Sequence, residues 1–252
     1  MARPLIARLG DAAERAVEAA RATVLPIHPL QIDVLKLIAC VCMLIDHINT
    51  CLYDRASVWA WLIGRLAFPL FGLTFVLTLK AHKAMATAKR LFIWAICTHP
   101  VYALAFANTG FSPWWAGNIL FSFAAVAYLV ALSQAPSAAN VAKGLAVFVV
   151  ASIIQAPSSF GAVGVIYVFA LHRVLSEARH VEGSWATLSV SALVVLNRDL
   201  IIGLALSLIL IIGPLTLSTL WRKSTLDRVL PHNFSIWLYA MHLTLISAIL
   251  PS

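Results

Sequence analysis

LIACVCMLIDHINTCLY, residues 37–53, is apolar over a length that can cross a bilayer, yet Asp46, His47 and Asn49 lie beyond its midpoint. A helix rises 1.5 Å per residue, so about 20 apolar residues span the hydrocarbon core. Ionisable groups at that depth are expensive unless paired or hydrated, which makes each one a candidate for function. The rest of the chain has the same character. Its 252 residues are 62% hydrophobic and 11% charged, with a mean hydropathy of +0.91, outside the range of soluble globular domains. The expected fold class is therefore all-α, a polytopic integral membrane helix bundle.

Apolar windows bounded by charge, Pro or Gly fall at 34–53, 58–79, 90–107, 116–133, 142–156, 160–175, 185–197, 200–221 and 233–250, predicting about nine transmembrane helices. Arg3 to Thr23 is charged and Ala-rich with apolar residues at helical spacing, and reads as an amphipathic interfacial helix rather than a cleavable signal. Residues 1–30 are thus expected to form an N-terminal cytoplasmic segment, and 31–252 a single membrane domain. Basic residues concentrate in the N-terminal segment (Arg3, Arg8, Arg15, Arg21) and in alternate connections (Lys80, Lys83, Lys89, Arg90; Lys143; Arg173, Arg179; Arg222, Lys223, Arg228). The other connections offer Arg55 and Arg198. The positive-inside rule then puts the N-terminus in the cytoplasm and the C-terminus outside. The same placement explains the net charge of +8 without a nucleic-acid partner, and the membrane lipid becomes the expected surrounding.

Four ionisable residues fall in one slab of the membrane. Asp46 and His47 lie roughly 17–18 Å from the inner end of the first span, Arg65 roughly 21 Å from the inner end of the second, and His242 roughly 13 Å into the last. Asp46 and Arg65 suggest an ion pair across the first hairpin. A histidine titrates near neutrality, so His47 and His242 suit general base and acid work on an amine or hydroxyl. No metal site is expected, since His-Glu-x-x-His and a helical His pair at i, i+4 are both lacking. Asn118, at the outer start of the fourth span, can orient an acceptor or stabilise an oxyanion. Cys40, Cys42, Cys51 and Cys97 lack paired metal or redox spacing and read as packing residues.

DVLKLIACVCMLIDHI (33–48), GRLAFPLFGLTFVL (64–77), WWAGNILFSF (114–123) and NFSIWLYAMHL (233–243) together resemble the TraX family of conjugative-transfer proteins, from about Asp33 to Leu250. More distantly, a first-span His and a last span reading Ser-x-x-Leu-Tyr-x-x-His are similar to the integral-membrane acyltransferase-3 superfamily, in which the first-span His is the proposed base. His47 matches that position and His242 the terminal one; the superfamily's basic motif after the second span is met only loosely by Lys89-Arg90. The resemblance implies a bacterial inner-membrane enzyme that moves an acetyl group from acetyl-CoA to the N-terminal amine of a conjugative pilin. The candidate catalytic residues are then His47 and His242, which the resemblance supports, with Asp46, Arg65 and Asn118 from their place in the spans, and Lys80, Lys83, Lys89 and Arg90, with Arg222, Lys223 and Arg228, are the candidates to hold CoA phosphates. The competing functions are a transporter using the same groups as a proton or ion relay, and a noncatalytic component of a transfer apparatus.

Overall fold

The computed structural model describes residues 28–110, 114–158, 160–176, 183–196, 229–231 and 233–249. The expected N-terminal amphipathic helix, the window at 200–221, the outer turn around Arg198, and Arg179, Arg222, Lys223 and Arg228 lie outside these residues.

The regular elements among the described residues are all helices, with no strand among them. Helix α1 runs Pro29–Cys51, with Pro at its first position and the His28 Nδ1 accepting from the Leu30 N–H at 3.3 Å. Helices α2 (Val58–Arg65) and α3 (Ala67–Thr78) are one apolar stretch broken at Leu66. Pro69 causes the break: it has no N–H for the carbonyl four residues back, that of Arg65, and its ring crowds that carbonyl. Then follow α4 (Ala84–Phe106), α5 (Ile119–Ser133), α6 (Ala138–Gln155), α7 (Gly161–Ser176), α8 (Gly183–Leu196) and α9 (Phe234–Ile249).

Helix α1 packs on α2, α3 and α9, while α9 also packs on α4, so the last described helix closes the bundle beside the first. Asp33 secures that closure. Buried in α1, its carboxylate accepts from the Val229 and Leu230 N–H groups, each at 2.9 Å, tying the lead-in of α9 to the foot of α1. At the centre Phe68 stacks on Phe160 with ring centroids 4.2 Å apart, and the Tyr167 hydroxyl donates to the Pro69 carbonyl at 3.3 Å.

The exterior is apolar, and several polar residues are buried. Val141, Leu145, Val149 and Ile153 form an exposed stripe at i, i+4 spacing along α6, and Trp237, Met241, Leu245 and Ile249 form another along α9. Asn49, Thr50, Asn118, Gln155 and His242 are buried. An apolar exterior with polar groups held inside an otherwise apolar core is the arrangement a bilayer favours. By length and apolarity, Val58–Thr78 and Ala138–Ser158 suffice to cross a membrane; Ile119–Ser133, Gly161–Leu175 and Phe234–Ile249 are apolar but shorter. Cys40, Cys42 and Cys51 are buried, as packing residues should be, but Cys97 is exposed on the outside of α4.

Candidate active site

The polar residues of the opening stretch take separate tasks, set by the roughly 100° turn between neighbours on a helix. Asn49 is a brace. Its side chain donates to the Ser57 carbonyl and accepts from the Ser57 N–H, both at 3.0 Å, while its own carbonyl accepts from the Arg55 N–H at 2.8 Å. This clamps the α1–α2 turn, in which Asp54 (φ 48°) and Arg55 (φ 61°) adopt the left-handed conformation that side chains disfavour. The turn sets Arg55 against the same cavity as Asp46 and His47.

His47 meets His242 across the α1–α9 contact, Nδ1 to Nε2 at 2.6 Å. The His242 Nδ1 sits 2.8 Å from the Leu238 carbonyl, which can only accept, so this nitrogen carries the proton. With both rings neutral, the His242 Nε2 is then an acceptor and the His47 Nδ1–H donates to it. The remaining nitrogen of His47, Nε2, is left with a bare lone pair. Phe106 meets the His47 ring edge-on, with centroids 5.2 Å apart, and fixes its plane.

A cavity of about 70 Å³ lies beside this pair, lined by Asp46, His47, Thr50, Arg55, Arg65 and Tyr239 among others. The expected Asp46–Arg65 ion pair does not form. The Arg65 guanidinium instead lies over the rings of Trp61 (5.3 Å) and Phe160 (5.8 Å), and the Asp46 Oδ1 is buried with no hydrogen-bond partner. The two charges share one cavity wall without touching. Gly64 makes room for Asp46: a Cβ at that position would collide with the Oδ1, Cβ and Cγ of the aspartate.

A second, larger cavity of about 590 Å³ adjoins the first. Lys36, Lys80, Lys83 and Arg90 line it, drawn from α1, the α3–α4 connection and α4. Met43, Phe71, Ile119 and Tyr239 line both cavities and mark where they meet. Lys89 is not part of this basic cavity. It borders a separate apolar groove of about 450 Å³ with Met85, Phe92 and Phe121, because consecutive residues of α4 face different ways. Lys36 takes its place in the basic set, and it was not singled out from the sequence.

Asn118 also departs from expectation. It is fully buried at the N-cap of α5, accepting from the Leu120 N–H (3.1 Å) and donating to the Ala95 carbonyl (2.9 Å) and the Thr98 hydroxyl (3.3 Å). Gln155 donates to its backbone carbonyl at 2.7 Å. It lines neither the small nor the basic cavity, and its amide is occupied in joining α4, α5 and α6. Gly64 and Tyr239 were not singled out from the sequence as site residues. Nothing local marks Gly64, whereas Tyr239 sits three residues before His242, the spacing that places two side chains on one helix face.

The chain's relatives agree with its motifs. The family model described as "TraX protein" matches residues 31–250. "Protein TraX" of Escherichia coli is 42% identical over 104 residues, 40% of each chain. "Protein TraX" of Escherichia coli strain K12 is 34% identical over 148 residues, 58% of this chain and 57% of the relative. The matched stretches thus span less than two thirds of either relative's length. No solved structure matches. A family model that runs from the foot of α1 through the last described helix takes in every residue of the two adjoining cavities, and by it the chain belongs to the TraX family.

Proposed function

We propose that this protein is a membrane-embedded acetyltransferase, moving an acetyl group from cytoplasmic acetyl-CoA to the N-terminal amine of a conjugative pilin subunit. The observation that carries the reading is the His47–His242 contact, which leaves a lone pair on His47 in the wall of a small, Asp46-bearing cavity that shares four lining residues with a basic one. Family membership supports it, as does the resemblance of His47 and the Ser-x-x-Leu-Tyr-x-x-His stretch to acyltransferase-3 proteins.

Lys36, Lys80, Lys83 and Arg90 then receive the CoA phosphates at the cytoplasmic end. Met43, Phe71, Ile119 and Tyr239 pass the thioester arm toward His47. Asp46 accepts hydrogen bonds from the incoming amine. A peptide α-amino group has a pKa of about 7.7–8.0, so a useful fraction arrives unprotonated. His47 takes a proton from the amine nitrogen as that nitrogen bonds to the carbonyl carbon, and His242 stabilises the resulting imidazolium through the 2.6 Å contact. His47 returns the proton to the departing thiolate as the C–S bond breaks. Arg65, fixed on its two aromatic rings, balances the Asp46 charge across the cavity.

The test is the intact mass of pilin from cells with and without this protein, then from purified protein supplied with acetyl-CoA. An acetyl increment that depends on both is the expected result. Unchanged pilin mass with ion or solute flux in liposomes would favour the transporter, and neither activity the noncatalytic component.

The same reading orients the chain with about nine crossings, the N-terminus in the cytoplasm and the C-terminus in the periplasm. It draws support from the location of Lys36, Lys80, Lys83 and Arg90 around one cavity, at the end the positive-inside rule assigns to the cytoplasm. Reporter fusions at the two termini should report opposite compartments. A cytoplasmic C-terminus would change the crossing count by one.

A further inference from the structure

The Tyr239 hydroxyl is buried and has no hydrogen-bond partner, and the residue is 3% exposed. A buried phenol O–H without a partner is costly, and such groups persist where a ligand or water completes them. Its location is specific. Four residues line both cavities, and of these Met43, Phe71 and Ile119 have no donor to offer, leaving Tyr239 as the polar group at the junction. Its ring lies 6.3 Å from that of His47 and 5.7 Å from that of His242, centroid to centroid.

A thioester that crosses this junction has its sulfur toward the basic cavity and its acyl group at the mouth of the small one, where the attacking amine turns an N–H to the lone pair of His47. Its carbonyl oxygen must then lie at the junction itself. We propose that Tyr239 is the oxyanion donor, its hydroxyl giving a hydrogen bond to the acyl carbonyl oxygen that strengthens as negative charge builds there. This rests on the acetyltransferase reading and adds to it the group that receives the developing charge. No proton need leave the tyrosine. The oxygen's charge rises on attack and is lost when the C–S bond breaks, and the O–H bond persists throughout. A donor of this kind in a site screened from water outweighs its counterpart in water, because it needs no reorganisation when the charge appears.

The experiment is Tyr239→Phe in the full-length protein, assayed for acetyl transfer to pilin with acetyl-CoA varied, beside wild type. Loss of one oxyanion donor should lower kcat by about 10²–10³-fold and move the KM for acetyl-CoA by less than about threefold. Thermal stability should not fall, since the hydroxyl removed has no partner to strand. Fluorotyrosine at position 239, which keeps the donor and sharpens it, should restore most of kcat. A Tyr239→Phe protein with kcat within about threefold of wild type overturns the proposal, as does a fluorotyrosine protein no faster than the Phe variant. Wild-type protein that transfers no acetyl group overturns the acetyltransferase reading and this proposal together, whereas an active wild type with an equally active Tyr239→Phe overturns this one alone.

Discussion

His47→Gln will abolish acetyl transfer and leave the amount of folded protein near wild type. The fold asks of His47 one hydrogen bond, from its Nδ1–H to the His242 Nε2, and a glutamine amide can donate in its place. The chemistry asks for the lone pair on the other ring nitrogen, which glutamine lacks. Losing a positioned general base lowers turnover by about 10²–10⁴-fold. His47→Ala should be as inactive but somewhat less stable, because the His242 acceptor is then stranded at a cost of about 1–3 kcal/mol. His242→Ala should fall between wild type and His47→Gln in rate, since the base survives and only its support is lost. Product mass per unit of folded protein, at saturating acetyl-CoA, separates the three. A well-folded His47→Gln protein with wild-type turnover would reduce His47 to a core histidine satisfied by its partner.

Gly64→Ala will lower both stability and transfer, through a collision rather than a lost contact. The added Cβ would meet the Asp46 side chain along its length, including Cβ, which no rotamer can move away. The α1–α2 contact must open, an overpacking that costs about 1–3 kcal/mol. A second substitution identifies the cause. Asp46→Ala keeps the offending Cβ and should not rescue Gly64→Ala, whereas Asp46→Gly removes it and should recover thermal stability. Helix propensity is neutral in that last pair, since a glycine is gained on α1 and one is lost on α2. Transfer should stay low in every variant that lacks the Asp46 carboxyl. Thermal unfolding of the four proteins in detergent is the measurement. A Gly64→Ala protein as stable as wild type, or equal rescue by both Asp46 substitutions, would show that α1 and α2 yield more easily than their packing indicates.

Hydropathy and charge in the sequence were enough to read the described residues as helical, to place most of their helices, and to single out Asp46, His47, Arg65 and His242, which the structure brings together. They could do so because burying backbone in an apolar medium leaves helix as the local solution, and depth follows from counting residues at a fixed rise. The window at 58–79 was read as one span, and the structure divides it at Leu66, before Pro69. Which residues touch was another matter. Asp46 and Arg65 lie on adjacent helices at matching depth, yet the guanidinium found Trp61 and Phe160, because an aromatic surface within reach of a flexible side chain competes with a carboxylate held against Gly64. Asn118 looked like a free amide at a helix start, but its own helix and the neighbouring α4 supplied every partner it needed. The 2.6 Å contact between His47 and His242 joins residues 195 apart in sequence, and the partnerless Tyr239 hydroxyl sits where two cavities meet. Only tertiary structure decided these, because rotation of a helix about its axis is set by the packing of its neighbours, which one helix's own pattern does not contain.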